Sequence, residues 1–155
     1  RQGQSSEKER LLIVGSGPEY QNLKSKIEKS LPAGRQVKLT NVELLPFATD
    51  EELRKLYNGA KALIFPQVED FGLVAAEAQA CGTPVIAYAA GGALEIVEDG
   101  KTGIFFNEQT AESLAAAVRK FENLKFLRRN IAARAKRFSK EKFKKEFLTF
   151  LAPLM

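Results

Sequence analysis

The order of elements between Ala62 and Tyr88 constrains this chain more than any other feature. An apolar run, Ala62–Phe65, is followed by a polar loop, Pro66–Asp70, and an alanine-rich segment of helical character, Phe71–Cys81. Gly82-Thr83-Pro84 then breaks the helix, and a second apolar run, Val85–Tyr88, begins. Strand, loop, helix and strand in that order make the crossover that parallel strands require. In open sheets of this kind ligands bind outside the carboxyl ends of the strands, where the loop Pro66–Asp70 must lie.

The remaining sequence repeats the theme. Leu11–Val14 reads as a buried parallel strand, and Gly15-Ser16-Gly17-Pro18 turns from it into a helix, with Pro18 suited to the first helical position. Tyr20, Leu23, Ile27 and Leu31 recur at helical spacing, and Pro32-Ala33-Gly34 ends that helix. Val42–Leu45 is a second strand. Thr49 and Glu52 form a capping box for a helix that turns Leu53, Leu56 and Tyr57 inward and ends near Gly59. After Val85–Tyr88, Gly91-Gly92 introduces a short helix, Ala93–Glu98. Asp99–Gly103 is a turn and Ile104–Phe106 a fifth strand. Three helices close the chain. The first starts at Thr110 with Leu114, Ala117, Val118 and Phe121 inward, the second carries Leu127, Ile131 and Ala135, and Ser139 caps the last. Alternating strands and helices spell an α/β, Rossmann-like, doubly wound parallel sheet followed by C-terminal helices.

Composition narrows the chemistry. The 155 residues amount to one domain, able to bury roughly two-thirds of the surface of the unfolded chain. There is no histidine, which removes the commonest general base and the commonest metal ligand, so hydrolase triads and zinc sites are not expected. The single cysteine, Cys81, excludes an internal disulfide, fits a reducing compartment such as the cytoplasm and reads as packing rather than as a nucleophile. The net charge of +5 suits phosphorylated ligands. Its excess lies mostly between Arg119 and Lys145, and reads as solvated helix faces rather than a nucleic-acid or membrane patch. No apolar run approaches the roughly 18 residues that a membrane span needs.

Two carboxylates stand out, Glu69 in the loop after a strand and Glu77 on the alanine-rich helix, with seven residues between them. By itself Glu69 could be a helix-capping charge, since negative charge is favoured at a helix N-terminus. Glu77 is the only charge on its helix, so it must reach solvent or accept hydrogen bonds. The amides of Phe71, Gly72 and Leu73 open the helix and lack intrahelical partners, which makes them an anion site in waiting. Gly72 would let a ligand approach the backbone closely. Gly15-Ser16-Gly17 resembles a nucleotide loop and reads equally well as a tight strand-to-helix turn.

Taken together, Glu69, Phe71-Gly72, Glu77-Ala78, Cys81-Gly82-Thr83-Pro84-Val85 and Gly91-Gly92 resemble the signature of the retaining nucleotide-sugar glycosyltransferases of the GT-B fold, in the large family with the Glu, seven residues, Glu motif. Glu95-Ile96-Val97 and Asp99-Gly100-Lys101-Thr102-Gly103 fit the same pattern. The resemblance covers nearly the whole chain but only one of the family's two domains, the donor-binding one. It implies that Glu69 holds hydroxyls of the donor sugar, that the amides at Phe71–Leu73 meet the diphosphate, and that Glu77 accepts hydrogen bonds from the ribose. Gly15, Gly17, Gly91 and Gly92 would line or border the donor cleft, and Phe47, after the second strand, would stand where the base is contacted. The substrate would be a nucleoside diphosphate sugar, with no metal and no further cofactor; the leaving phosphate would deprotonate the acceptor on the same face. The Glu69-Asp70-Phe71-Gly72 variant resembles mannosyltransferases of surface-polysaccharide assembly and suggests GDP-mannose.

The chain departs from the family at its start. The family's domain opens with a strand ending in Gly-Arg and then a Lys-Gly, whose basic side chains grip the diphosphate, and Arg1–Arg10 does not reproduce that pattern. The chain is therefore expected to lack the first strand–helix unit and the amino-terminal acceptor-binding domain, and to show no transfer activity alone. In the order 3-2-1-4-5-6 the first strand is central. Leu11–Val14 and Ala62–Phe65 are thus expected either to pair with each other or to leave a gap. The resemblance also implies that Phe143, Phe147 and Leu151, with Leu148, Leu154 and Met155 nearby, are incompletely covered, because the final helices return toward the other domain. It admits peripheral association of the intact enzyme with the inner face of a membrane, and implies no nucleic-acid partner. A non-catalytic module of the same fold is an alternative. So is a nucleotide-sugar epimerase, against which the absence of histidine counts.

Overall fold

The computed structural model describes residues 9–28 and 41–154, and the side chain of Leu154 lies outside that description. Two compact units make up the chain, residues 1–53 and 54–155. Among the described residues no helix is long and apolar enough to cross a membrane.

The first unit holds β1 (Leu11–Val14), α1 (Tyr20–Glu28), β2 (Val42–Leu45) and the start of α2 (Asp50–Gly59). β1 and β2 are parallel and in register from Leu11 opposite Val42 to Val14 opposite Leu45. Arg10 and Glu43 pair across the entry to this ladder at 3.2 Å. Leu11 and Val14 are about 40% exposed, so β1 is not the buried strand that its apolar run suggests. A strand in a two-stranded ladder has one neighbour and little cover. Pro18 sits in the turn before α1 rather than in its first position, and the Tyr20 amide closes that turn on the Gly17 carbonyl at 2.9 Å. Leu31 and Pro32-Ala33-Gly34 lie outside the described residues. The capping box forms as read: Glu52 accepts from the Thr49 amide at 2.8 Å, and Thr49 Oγ1 accepts from the Glu52 amide.

The second unit contains β3 (Leu63–Phe65), α3 (Leu73–Ala80), β4 (Val85–Tyr88), α4 (Ala93–Ile96), β5 (Gly103–Phe106), α5 (Ala111–Glu122), α6 (Arg128–Ala135) and α7 (Lys140–Leu151). β3, β4 and β5 form a parallel sheet with β4 in the middle, Ile86 standing opposite Ile64 and Ile104. Successive side chains of a strand point to opposite faces. Val85 and Ala87 accordingly join Phe65, Ala75, Ala76, Ala93, Ile96 and Val97 on the α3 and α4 side. Ile86 joins Ile104, Phe106 and Ala117 on the α5 side. Helices on both faces of a parallel sheet make the fold Rossmann-like, as expected. Among the described residues the strands form one two-stranded and one three-stranded ladder.

Element boundaries differ in small ways from the sequence reading. Ala62 stays outside β3, Gly103 joins β5, and α4 ends at Ile96 because Val97 is already extended. Thr110 caps α5 and Ser139 caps α7, each accepting an amide three residues on. Leu127 is 56% exposed at the N-cap of α6, while Ile131 and Ala135 are buried. The inward stripe of that helix therefore starts one turn later than its apolar spacing implies.

Candidate functional site

The site is built where β3 runs out. Phe65 is buried and ends the strand, so the loop that follows starts from a fixed point. Gln109 Nε2 donates to the Pro66 carbonyl at 2.9 Å and holds the loop's first residue. Gln67 Nε2 donates to Glu69 Oε1 at 3.0 Å, leaving the half-buried carboxylate further acceptor positions. The Gly92 amide donates to the Glu69 carbonyl at 2.7 Å. Phe71 then meets Phe138 edge to face, ring centroids 6.0 Å apart.

Gly72 makes the bend into α3. Its φ of 89° and ψ of 49° lie in the left-handed region that L side chains avoid. The helix accordingly begins at Leu73, not at Phe71, which corrects the sequence reading: a residue in that conformation cannot belong to the helix. The Ala75 and Ala76 amides both donate to the Gly72 carbonyl, so the amides of Leu73 and Val74 are the ones ahead of the ladder.

Helix α3 has two faces. Ala75, Ala76, Ala78 and Gln79 are buried, and Gln79 Nε2 donates to the buried Thr102 Oγ1 at 3.1 Å. Leu73, Val74, Glu77 and Ala80 face out at helical spacing, Leu73 being 63% exposed. Glu77 therefore reaches solvent, the first of the two possibilities that its apolar helix left open. Burial pushes the Tyr57 hydroxyl above the ordinary phenol value, and the nearby Glu77 and Cys81 push it the same way. Cys81 is a free, half-buried thiol at the C-cap of α3.

Glu69, Phe71, Gly72, Leu73 and Glu77 are thus brought together on one loop and the helix it opens, at the carboxyl end of β3. Gly15, Gly17 and Phe47 belong to the first unit. Gly15 follows β1 with a φ of 147°, and its amide donates to the Leu45 carbonyl at 2.8 Å. Phe47, 75% exposed, stands two residues after β2. Both lie at the carboxyl edge of their own ladder. Among the described residues no cluster of three or more His, Cys, Asp or Glu could hold a metal ion.

Three residues that the sequence did not single out tie the second unit together, and of these Phe138 touches the site loop. Arg128 donates to the carbonyls of Tyr57, Ala60 and Cys81 and to Thr83 Oγ1, locking the start of β4 to the end of α2. Arg137 donates to the carbonyls of Glu95 and Ile96 and to Glu98, holding the end of α4. Phe138 is the partner of Phe71. A long-range arginine–carbonyl contact leaves no local sequence signal, so only the fold could reveal them.

The model of the family "Glycosyl transferases group 1" matches residues 2–138. The chain belongs to that family. Its domain is a GT-B-fold glycosyltransferase domain. It is 30% identical over 130 residues to an uncharacterized glycosyltransferase of Methanocaldococcus jannaschii, covering 83% of this chain and 35% of that protein. Over 78 residues it is 45% identical to the D-inositol 3-phosphate glycosyltransferase of Mycobacteroides abscessus, covering 50% of this chain and 18% of the relative. Among solved structures it resembles the sucrose-phosphate synthase of Thermosynechococcus elongatus, with a TM-score of 0.75, 29% identity, and coverage of 94% of this chain and 38% of that one. It shares its fold with Anabaena HepE in complex with UDP-glucose, with a TM-score of 0.70, 24% identity, and coverage of 93% and 41%. The chain spans well under half the length of each of these proteins.

Proposed function

We propose that this chain is the donor-binding part of a retaining hexosyltransferase that takes a nucleoside diphosphate sugar and passes the sugar to a hydroxyl of a glycan or lipid-linked acceptor held by a separate domain. The observation that carries the reading is the arrangement at the end of β3: a braced carboxylate, Glu69, then helix amides at Leu73 and Val74, then Glu77 on the outward face of α3. A carboxylate accepts two hydrogen bonds and donates none, which suits Glu69 to vicinal sugar hydroxyls and Glu77 to a ribose diol. The amides between them, at the positive end of the helix dipole, suit a diphosphate. Glu69 orients the sugar rather than attacking it. Relatives named D-inositol 3-phosphate glycosyltransferase and a fold shared with a protein solved with UDP-glucose support a nucleotide-sugar donor. The Glu69–Gly72 sequence favours GDP-mannose among such donors. The intact enzyme works in the cytoplasm, at the inner face of the membrane where the acceptor is lipid-linked.

Titration of the chain with GDP, UDP and GDP-mannose, followed by backbone NMR, tests this reading. Shifts at Gly72, Leu73 and Val74 are expected, and their absence at millimolar ligand overturns it. Glu77→Ala should weaken binding of all three by about 1.5–3 kcal/mol. Glu69→Ala should abolish the difference between GDP-mannose and GDP while leaving GDP binding in place. Equal loss in both variants would refute the division of labour.

A further inference from the structure

We propose that Gly91 and Gly92 are positioning residues for Glu69, a seat of bare backbone on which the segment Val68–Phe71 rests; its consequence for the sugar rests on the reading of Glu69 given above. The two glycines join β4 to α4, and they meet the loop backbone to backbone. A Cβ built on Gly91 would stand 2.5 Å from the Glu69 carbonyl oxygen and 3.1 Å from Val68 Cγ1. On Gly92 it would collide with the Phe71 carbonyl and come within 2.7 Å of the Asp70 carbonyl oxygen. Collisions with backbone cannot be relieved by turning a side chain, so the loop itself would have to move.

Conformation does not account for Gly92. Its φ of −59° and ψ of −20° are open to any residue, so only the contact demands glycine there. Gly100 supplies the contrast, with a left-handed φ of 71° and nothing within 4 Å of its Cβ position. Gly92 is a packing glycine and Gly100 a turn glycine, while Gly91, with a left-handed φ of 58° and the Glu69 carbonyl against its Cβ position, is both. The hydrogen bond from the Gly92 amide to the Glu69 carbonyl fixes the height of the loop on this seat. Phe138 holds the far end through Phe71, and Gln67 holds the carboxylate itself. These three restraints narrow the places open to the Glu69 carboxylate, which is what recognition of a particular sugar needs.

The test compares Gly91→Ala, Gly92→Ala and Gly100→Ala with the unsubstituted chain, reading ligand-free NMR spectra and affinities for GDP and GDP-mannose. Without ligand, the two seat variants should shift the Val68–Phe71 amides and leave those of β5 in place, whereas Gly100→Ala should not touch the loop. With ligand, the ratio of GDP-mannose to GDP affinity should fall toward one in the seat variants, as in Glu69→Ala, while GDP binding through Glu77 persists. A purely structural role would lower both affinities together and would overturn the positioning claim. Unmoved Val68–Phe71 amides would overturn the seat, whatever the ligand does. Should neither seat variant fold, hydrogen exchange of the Gly92 amide in the unsubstituted chain decides, because rapid exchange there refutes the bond to Glu69. An affinity that never depends on the sugar would refute the role of Glu69, and with it sugar positioning, while the ligand-free spectra still judge the seat.

Discussion

Helices α3 and α7 make an instructive pair. α3 is short and nearly uncharged, and its buried face consists of small residues, Ala75, Ala76 and Ala78, with Gln79. Small side chains allow close approach, and α3 packs against both the sheet and α6. α7 has the stronger amphipathic pattern, yet none of its residues is buried. Phe143, Phe147, Leu148 and Phe150 are between 48% and 70% exposed, which bears out the incomplete cover expected of Phe143, Phe147 and Leu148; Leu151 is half-buried. Amphipathic spacing states what a helix could bury. Whether it is buried depends on what stands opposite, and that is a property of the fold.

The comparison is most easily broken at Phe65, which anchors the cluster beneath α3 at 1% exposure. Phe65→Ala should destabilise the chain by about 3–5 kcal/mol, because the cavity lies where sheet and helix meet and neither can collapse freely. Chemical denaturation measures this directly. A loss below about 1 kcal/mol would mean that the α3 face is no better packed than α7.

A smaller effect is expected at Glu98, where the C-terminal helices are tied to the sheet. The hydrogen bond from Arg134 holds the Glu98 carboxyl below its ordinary value of 4.5, with the charges of Arg134, Arg137 and Lys101 acting the same way against partial burial. A depressed folded-state pKa gives stability that is present above the unfolded value and lost as pH falls through the folded one. Glu98→Gln should therefore lower stability at pH 7 by about 1 kcal/mol, the scale of a charge-assisted surface network. The gap between variant and parent should close below about pH 4, near the ordinary carboxylate range. A gap of the same size at pH 3 and pH 7 would show that the carboxylate charge is not the cause.

Much of the fold was legible because its signals are local. The extents of β2 and β4 and the caps at Thr49, Thr110 and Ser139 are all decided within a few residues of sequence, and they stand where the residues put them. The placement of the candidate residues was legible in outline, since the loop after β3 carries Glu69 and the following helix carries Glu77. Three things were not. The start of α3 depends on the backbone angle of Gly72, and an alanine-rich run with Phe-Gly ahead of it does not declare that angle. The exposure of β1 depends on how many strands flank it. The seat at Gly91-Gly92 depends on two loops separated by some twenty residues meeting backbone to backbone, for which glycine is necessary but not diagnostic.

The smallest effect on stability is expected on α7, and it sharpens the comparison most. The helix is held by local devices: the Ser139 cap, the pair Lys142–Glu146 at 3.5 Å, and the stacked rings of Phe143 and Phe147 with centroids 5.7 Å apart. Such devices are worth tenths of a kcal/mol each, and an isolated helix of twelve residues is marginal in water. Phe147→Ser removes one ring from an exposed stack and buries nothing, so it should change the unfolding free energy by no more than about 0.5 kcal/mol. Its effect on association should be larger, because a contiguous exposed apolar stripe is a surface that other molecules cover. Sedimentation of the parent chain should show concentration-dependent association that Phe147→Ser reduces and Leu73→Ser on α3 does not. If Phe147→Ser costs as much stability as a core substitution, α7 is packed after all and the contrast with α3 fails. If parent and variant are both monomeric at every concentration, the stripe is tolerated in water and draws no second molecule.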